Sequence, residues 1–337
     1  MPKPRYAQVS LDATPYYHCI ARCVRKAYLC GTDVITGESY EHRRQWLEDK
    51  LLELGDIFAI DICAYAIMSN HYHLVLHINK AEVIKLTQDE VLARWLKLFK
   101  GAFITQQYCK GERMSEAQLE LLAETVETWR ERLMDISWFM RVLNESIARQ
   151  ANAEDHCTGR FWEGRFKTQA LLDEAALMSC MAYVDLNPIR AALAKTPEAS
   201  NHTSLKRRLT LLTSKSKDTL QKQPAELFPL IGDPRKNMPE GLPFKLMDYI
   251  DLVEWTGRQL RPDKRGSIDE DAPPILQRLN VDAGNWLFLT RHFESRLKGL
   301  VGSIFAVKKA CKVLGYKRTI ENKVVMRILR NNISTHK

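Results

Sequence analysis

His71-Tyr72-His73 and, far downstream, Tyr183 and Asn187 are the residues of this chain whose types and spacing could do chemistry together. On a strand, side chains i and i+2 share a face about 7 Å apart, so His71 and His73 can converge on one metal ion while Tyr72, Leu74 and Leu76 point the other way, into a core. His77 shares the histidine face but lies about 13 Å from His73, too far for the same ion. On a helix, i and i+4 are neighbours, which sets Tyr183 beside Asn187. A phenol with a pKa near 10 is a poor nucleophile at neutral pH until its phenolate is favoured or its target is activated. A divalent ion on the non-bridging oxygens of a phosphodiester does the second job. Two imidazoles, the side-chain oxygen of Asn187 as third ligand and a tyrosine nucleophile therefore make a minimal kit for cutting single-stranded DNA with one Mg2+ or Mn2+, and imidazole suits manganese better. Two plainer readings stay open at this point: a strand whose solvent face carries histidines, and a helix tyrosine packed on a sheet.

These side chains need a sheet and a helix to hold them. Tyr16 to Val24 is aromatic and β-branched and reads as a first strand. Glu41 to Leu54 reads as a helix closed near Gly55, Ile57 to Met68 as a second strand, and Ser69-Asn70 as the tight connection to a third strand over His71 to Ile78. Residues 81–155 read as helical throughout, and Gly159 to Ala170 as the place of a fourth strand. Asp173-Glu174 opens a helix that carries Tyr183 and must end or bend at Asn187, because Pro188 disfavours helical geometry there. Strand–helix–strand–strand–helix–strand order predicts an α+β fold, a ferredoxin-like antiparallel sheet with helices on one face. A mainly helical, basic C-terminal region comes next, with a helix around Ser204–Leu212. The expected division is a catalytic domain over 1–200 and an extension over 201–337.

The 337 residues are 45% hydrophobic and 27% charged, enough for a substantial core. The absence of a long apolar run or an apolar leader argues against a membrane role. Eight cysteines with no tight CxxC pair read as reduced thiols, and so as a cytoplasmic protein. The net charge of +9 is unevenly spread: residues 1–200 hold 24 Lys and Arg against 27 Asp and Glu, whereas residues 201–337 hold 26 against 14. The second part reads as built to lie on something anionic, the plainer reading being a basic surface that only keeps the protein soluble.

Three blocks carry a resemblance. His71-Tyr72-His73 after Ile67-Met68-Ser69-Asn70, the run Gly159 to Lys167, and Tyr183-Val184-Asp185-Leu186-Asn187-Pro188-Ile189-Arg190 resemble the motifs of the REP-associated tyrosine transposases, relatives of the single-strand insertion-sequence transposases in the His-hydrophobic-His endonuclease superfamily. Tyr17-His18 through Arg25 also fits, and the likeness covers roughly residues 10–200. It implies a ferredoxin-like catalytic domain, a Mg or Mn ion and a covalent 5′-phosphotyrosine intermediate. It also implies single-stranded DNA, often folded as an imperfect palindromic hairpin, as the substrate. By match, His71 and His73 take the ligand role, Asn187 the third-ligand role and Tyr183 the nucleophile role. Residues 88–135 form a longer helical insertion than compact members have.

Several side chains are candidates for holding DNA. Arg160, Trp162, Arg165 and Lys167, interleaved with Phe161 and Phe166, mix charge for a phosphate backbone with rings for stacked bases, although Phe166 reads better as core. Arg22, Arg25 and Lys26 form a second basic patch, and Lys206-Arg207-Arg208 a third. Lys308, Lys309 and Lys312 give one basic face to a helix that, with a preceding helix and Gly302 as a turn, could be a helix-turn-helix; a solvated basic helix is the plainer reading. The leading expectation is a single-stranded DNA endonuclease and strand transferase, monomeric or homodimeric. The alternatives are a catalytically retired DNA-binding regulator of repeated palindromic elements, and a metal-dependent RNA-processing enzyme that gives Tyr183 no job.

Overall fold

The computed structural model describes residues 8–24, 29–33, 36–212, 223–232, 240–260 and 272–316. Among these residues there are five strands: β1 (Tyr16–Arg22), β2 (Ile60–Ile67), β3 (His71–Ile78), β4 (Lys167–Leu171) and β5 (Leu300–Val301). The helices before β4 are α1 (His42–Ile57), α2 (Lys80–Lys85), α3 (Gln88–Leu96), α4 (Phe103–Cys109), α5 (Glu116–Leu133) and α6 (Ile136–Glu154). Those after it are α7 (Glu174–Asp185), α8 (Asn187–Arg190), α9 (Ser204–Leu212), α10 (Leu246–Leu260), α11 (Ile275–Arg278), α12 (Ala283–Arg296) and α13 (Ile304–Val313). The contacts divide the chain into two compact units, one of residues 1–45, 62–77 and 162–337, the other of residues 46–61 and 78–161.

The first unit holds the sheet, in the order β2-β3-β1-β4-β5. β1 runs antiparallel to both β3 and β4, and the first four strands keep the ferredoxin-like order. The fifth strand departs from the expected all-antiparallel sheet, because β5 pairs with β4 in parallel. The chain reaches β5 only after crossing over through helices α7 to α12, and such a crossover brings a strand back in the same direction. At the β2–β3 hairpin the Met68 N–H donates to the His71 carbonyl at 2.8 Å, which fixes the register of the histidines.

Helix α7 is where the sequence most strongly dictates burial. Every residue from Ala176 to Asp185 is buried, as expected of a helix that is apolar nearly all round. Asp173 starts it, accepting from the Ala176 N–H at 2.9 Å. Its apolar faces join α10, α12 and Val75 of β3 in one core, so α7 and the C-terminal helices cover the histidine-bearing face of the sheet. Asp185, at 0% exposure, ties α7 to α9 and α10: it accepts from the Ser204 hydroxyl at 2.6 Å, the Leu205 N–H at 3.0 Å and the Tyr249 hydroxyl. The basic C-terminal region therefore supplies a strand, two core helices and the partners of a buried carboxylate to the same unit as the sheet.

The second unit is helical and contains the insertion over 88–135. Capping boxes at Thr87 with Glu90 and at Ser115 with Gln118 start α3 and α5. The two helices pack through Trp95 and Trp129, whose rings stack 5.4 Å apart. No helix among the described residues is long and apolar enough to cross a membrane.

Candidate active site

Alternation along β1 and β3 builds the site. Ile20 lies opposite His73 and Arg22 opposite His71, so His18, His71 and His73 all project from one face of the sheet. Helix α7 lies over that face and brings Tyr183 against His73, with ring centroids 5.6 Å apart and nearly perpendicular. Helix α12 loses regular geometry at His292 (φ −119°, ψ 15°), immediately before the two residues that reach the site, Phe293 and Glu294. The Phe293 ring packs on Tyr183 at 5.6 Å and on His18 at 5.9 Å.

A hydrogen-bonded chain sets the protons on the histidines. The Gln169 amide nitrogen donates to the Leu297 carbonyl, which turns Gln169 Oε1 toward His18. That oxygen can only accept, so His18 Nδ1 carries a proton and donates to it at 2.6 Å. Burial depresses the pKa of His18 to about 4, so its other nitrogen is a bare acceptor at neutral pH. His73 Nδ1–H therefore donates to His18 Nε2 at 3.0 Å, and His73 Nε2 keeps its lone pair. That Nε2 is buried with no hydrogen-bond partner among the described residues. His71 obeys the same logic: Nδ1–H donates to Asn70 Oδ1 at 2.6 Å, leaving Nε2 bare. Burial first, and then the charge of Arg22, hold its pKa at about 4. Burial keeps His73 well below the usual histidine range too. Two neutral imidazoles, each with its lone pair on Nε2 and its N–H fixed by a second residue, are what a divalent cation requires of histidine ligands.

Tyr183 is buried, and burial raises its phenol pKa, opposed mainly by the charge of Arg190. The Arg190 guanidinium lies 3.6 Å over the Tyr183 ring and donates to the Tyr183 carbonyl at 3.2 Å. The phenol donates to Glu294 Oε2 at 3.4 Å. The same carboxylate is 4.0 Å from His73 Nε2 and 3.9 Å from Lys167 Nζ. Phenol, carboxylate, guanidinium and bare imidazole nitrogen thus meet at one point.

No family model matches the chain, and no curated protein matches it. A solved structure of a REP-associated tyrosine transposase bound to a REP hairpin is similar, with 10% identity and a TM-score of 0.37 over 62% of this chain and 86% of that one. The likeness is distant.

Asn187 departs from the simple i, i+4 picture. Helix α7 ends at Asp185, and Asn187 opens α8 with Pro188 in its first turn, so Tyr183 and Asn187 flank a break. Asn187 is buried and its Nδ2 has no hydrogen-bond partner among the described residues. The orphaned His73 and Asn187 nitrogens mark polar atoms that something else would satisfy, and the two histidines fit a metal. Among the described residues, no cluster of three or more His, Cys, Asp and Glu side chains could hold one.

The expected DNA contacts scatter. Arg22 ends β1 beside His71, while Arg25 and Lys26 lie outside the described residues. Arg160, Arg165 and Lys167 are exposed. Trp162 is not available for stacking bases: it is 9% exposed and packs edge-on against Tyr72, on the face away from the histidines. Arg207 is paired with Glu226 at 2.8 Å, and the Lys206 ammonium donates to the Glu198 carbonyl. Arg208 is a core residue, 1% exposed, donating to Gln223 Oε1 and to the carbonyls of Cys63 and Phe228, so it cannot meet a phosphate. Lys308, Lys309 and Lys312 are exposed on α13. The helix-turn-helix does not form, because Gly302 comes after strand β5 rather than a helix. Sequence reasoning missed Glu294, Gln169 and the role of His18. Only His18 left a signal, as a polar residue alternating onto the histidine face of β1.

Proposed function

We propose that the protein is a single-stranded DNA endonuclease and strand transferase of the REP-associated tyrosine transposase kind, acting on hairpin or palindromic DNA through a 5′-phosphotyrosine. The observation that carries this is a pair of neutral, pre-oriented imidazoles, His71 and His73, with ring centroids 5.0 Å apart, and the Tyr183 ring packed against His73. His71 and His73 would hold a Mg2+ or Mn2+ through Nε2, with Asn187 as third ligand, and the ion would supply charge neutralisation at a bound phosphate. The Tyr183 oxygen forms a bond to phosphorus while the P–O3′ bond breaks. The phenol proton passes to the Glu294 carboxylate, the departing O3′ takes a proton from solvent water to become a free 3′-hydroxyl, and the Glu294 carboxyl returns its proton to solvent, so no proton is gained or lost overall. The Arg190 guanidinium over the ring favours the phenolate as it forms.

The test is incubation of hairpin oligonucleotides from the DNA flanking its own gene with the protein and Mn2+, read on a denaturing gel. A covalent protein–DNA adduct with wild type and none with Tyr183→Phe, at nearly equal DNA binding, is the expected result. Binding without cleavage or adduct, across metals and both strands, would overturn it. One observation favours a second reading, a DNA-binding regulator that no longer cuts: His73 is 0% exposed, so a phosphate reaches its nitrogen only if α7 or α12 moves.

A further inference from the structure

We infer that a groove beside the site, walled by β4 and by the segment joining α12 to β5, seats the unpaired nucleotides flanking the scissile phosphate. The groove encloses about 620 Å3, a size that takes a base with its phosphate rather than a duplex. Arg165 and Lys167 stand on the β4 side and Lys298 on the other, all three exposed. Among the described residues, neither Arg165 nor Lys298 makes an ion pair. Three cations face one carboxylate, Glu294, so the groove is complementary to a phosphodiester backbone. Phe166, half-buried, offers a ring for stacking, and Leu297 and Leu300 give the groove an apolar lining.

Continuity with the chemistry decides the occupant. Glu294 and Gln169 line the groove and also belong to the Tyr183–His73 cluster, so whatever enters there abuts the reacting phosphate. A strand continuous with that phosphate meets this condition. The inference rests on the proposed cleavage of single-stranded DNA. It gives the C-terminal region a local task, since Leu297 to Leu300 form one wall.

The experiment uses the full chain and two labelled oligonucleotides, a blunt hairpin and the same hairpin with a flank of roughly ten unpaired nucleotides. Affinity is measured by fluorescence anisotropy over a series of salt concentrations for wild type, Lys298→Glu and Phe166→Leu. Lys298 is exposed and outside the catalytic cluster, so Lys298→Glu should fold normally. The expected result is about tenfold weaker binding of the flanked hairpin by Lys298→Glu, a salt dependence shallower by about one unit, and an unchanged affinity for the blunt hairpin. Phe166→Leu should weaken the flanked substrate about fivefold without changing the salt slope. Equal loss on both substrates, or no loss on either, overturns the groove. A wild-type chain that binds the flank as described yet forms no adduct would sink the cleavage reading and leave the groove standing. An adduct with no Lys298 or Phe166 effect would do the reverse.

Discussion

Replacing His18 by Leu should uncouple the proton arrangement on His73 and expose how much of the site depends on it. The His73 Nδ1–H loses its acceptor at 3.0 Å in a place with no exposure to water. A buried donor left unmade costs about 1–3 kcal/mol. The ring can avoid that penalty by moving its proton to Nε2, where Glu294 lies 4.0 Å away, but the nitrogen proposed to hold a metal is then capped. Partners that orient ligand histidines are worth about 10–100-fold in metal affinity. That range is about 1.4–2.8 kcal/mol, matching the hydrogen-bond estimate. His18→Gln should rescue, since its amide oxygen can accept from His73. The assay has two parts: long-range 1H–15N spectra of the metal-free protein to locate the His73 proton, and calorimetric Mn2+ titration. If His18→Leu keeps the proton on Nδ1 and binds Mn2+ within about twofold of wild type, the relay does not govern the site.

Burial sets the other expectations. His18 has a folded pKa of about 4 against 6.5 when free, so the unfolded chain takes up a proton the folded chain refuses. Stability is fully present above pH 6.5 and falls as pH drops toward 4, by about 3 kcal/mol from this group at about 1.4 kcal/mol per unit. Urea unfolding at stepped pH should show this loss, and His18→Gln should flatten it; an unchanged profile would refute the assignment. Arg208→Ala leaves two carbonyls without their donor and removes the positive charge near Asp185, so thermal melting should reveal a loss of about 3–5 kcal/mol. A paired Lys308→Gln, Lys309→Gln change should leave the melt within about 0.5 kcal/mol. Ending the chain at residue 200 should yield aggregated or molten protein by near-ultraviolet circular dichroism, because α7 loses the core of α10 and α12. A cooperative melt would show that the sheet folds alone.

The legible parts of this protein are those set by local periodicity. The bounds of β3, the hairpin at Ser69-Asn70, helix α9 and the helical run from 81 to 155 all come from alternation, turn chemistry or 3.6-residue spacing. The face shared by His71 and His73 comes from the two-residue period of a strand. The features that stayed hidden depend on distant pairing. Glu294 lies 111 residues from Tyr183, and its helix looks like any amphipathic helix until α7 is seen beneath it. Gln169 is one polar residue in a short strand, and only its contact with His18 makes it informative. Strand β5 is two residues long and has no periodicity to detect. Arg208 and Trp162 misled for a related reason: a basic triplet and a basic–aromatic run look like surface, whereas buried carbonyls claim the one and the ring of Tyr72 claims the other.

The parallel pairing of β4 with β5 also has a bearing on synthesis. A ribosome delivers both histidines and the tyrosine more than a hundred residues before it delivers Leu300. Until then β4 has an open edge, the kind of edge that invites pairing with another chain. Gln169 meanwhile has no Leu297 carbonyl to orient it. A prematurely terminated product would carry the apparent catalytic residues yet lack the contacts that prepare them. The contacts that prepare the site should therefore form only once Leu297 to Val301 have been made, a form of quality control written into the order of the strands.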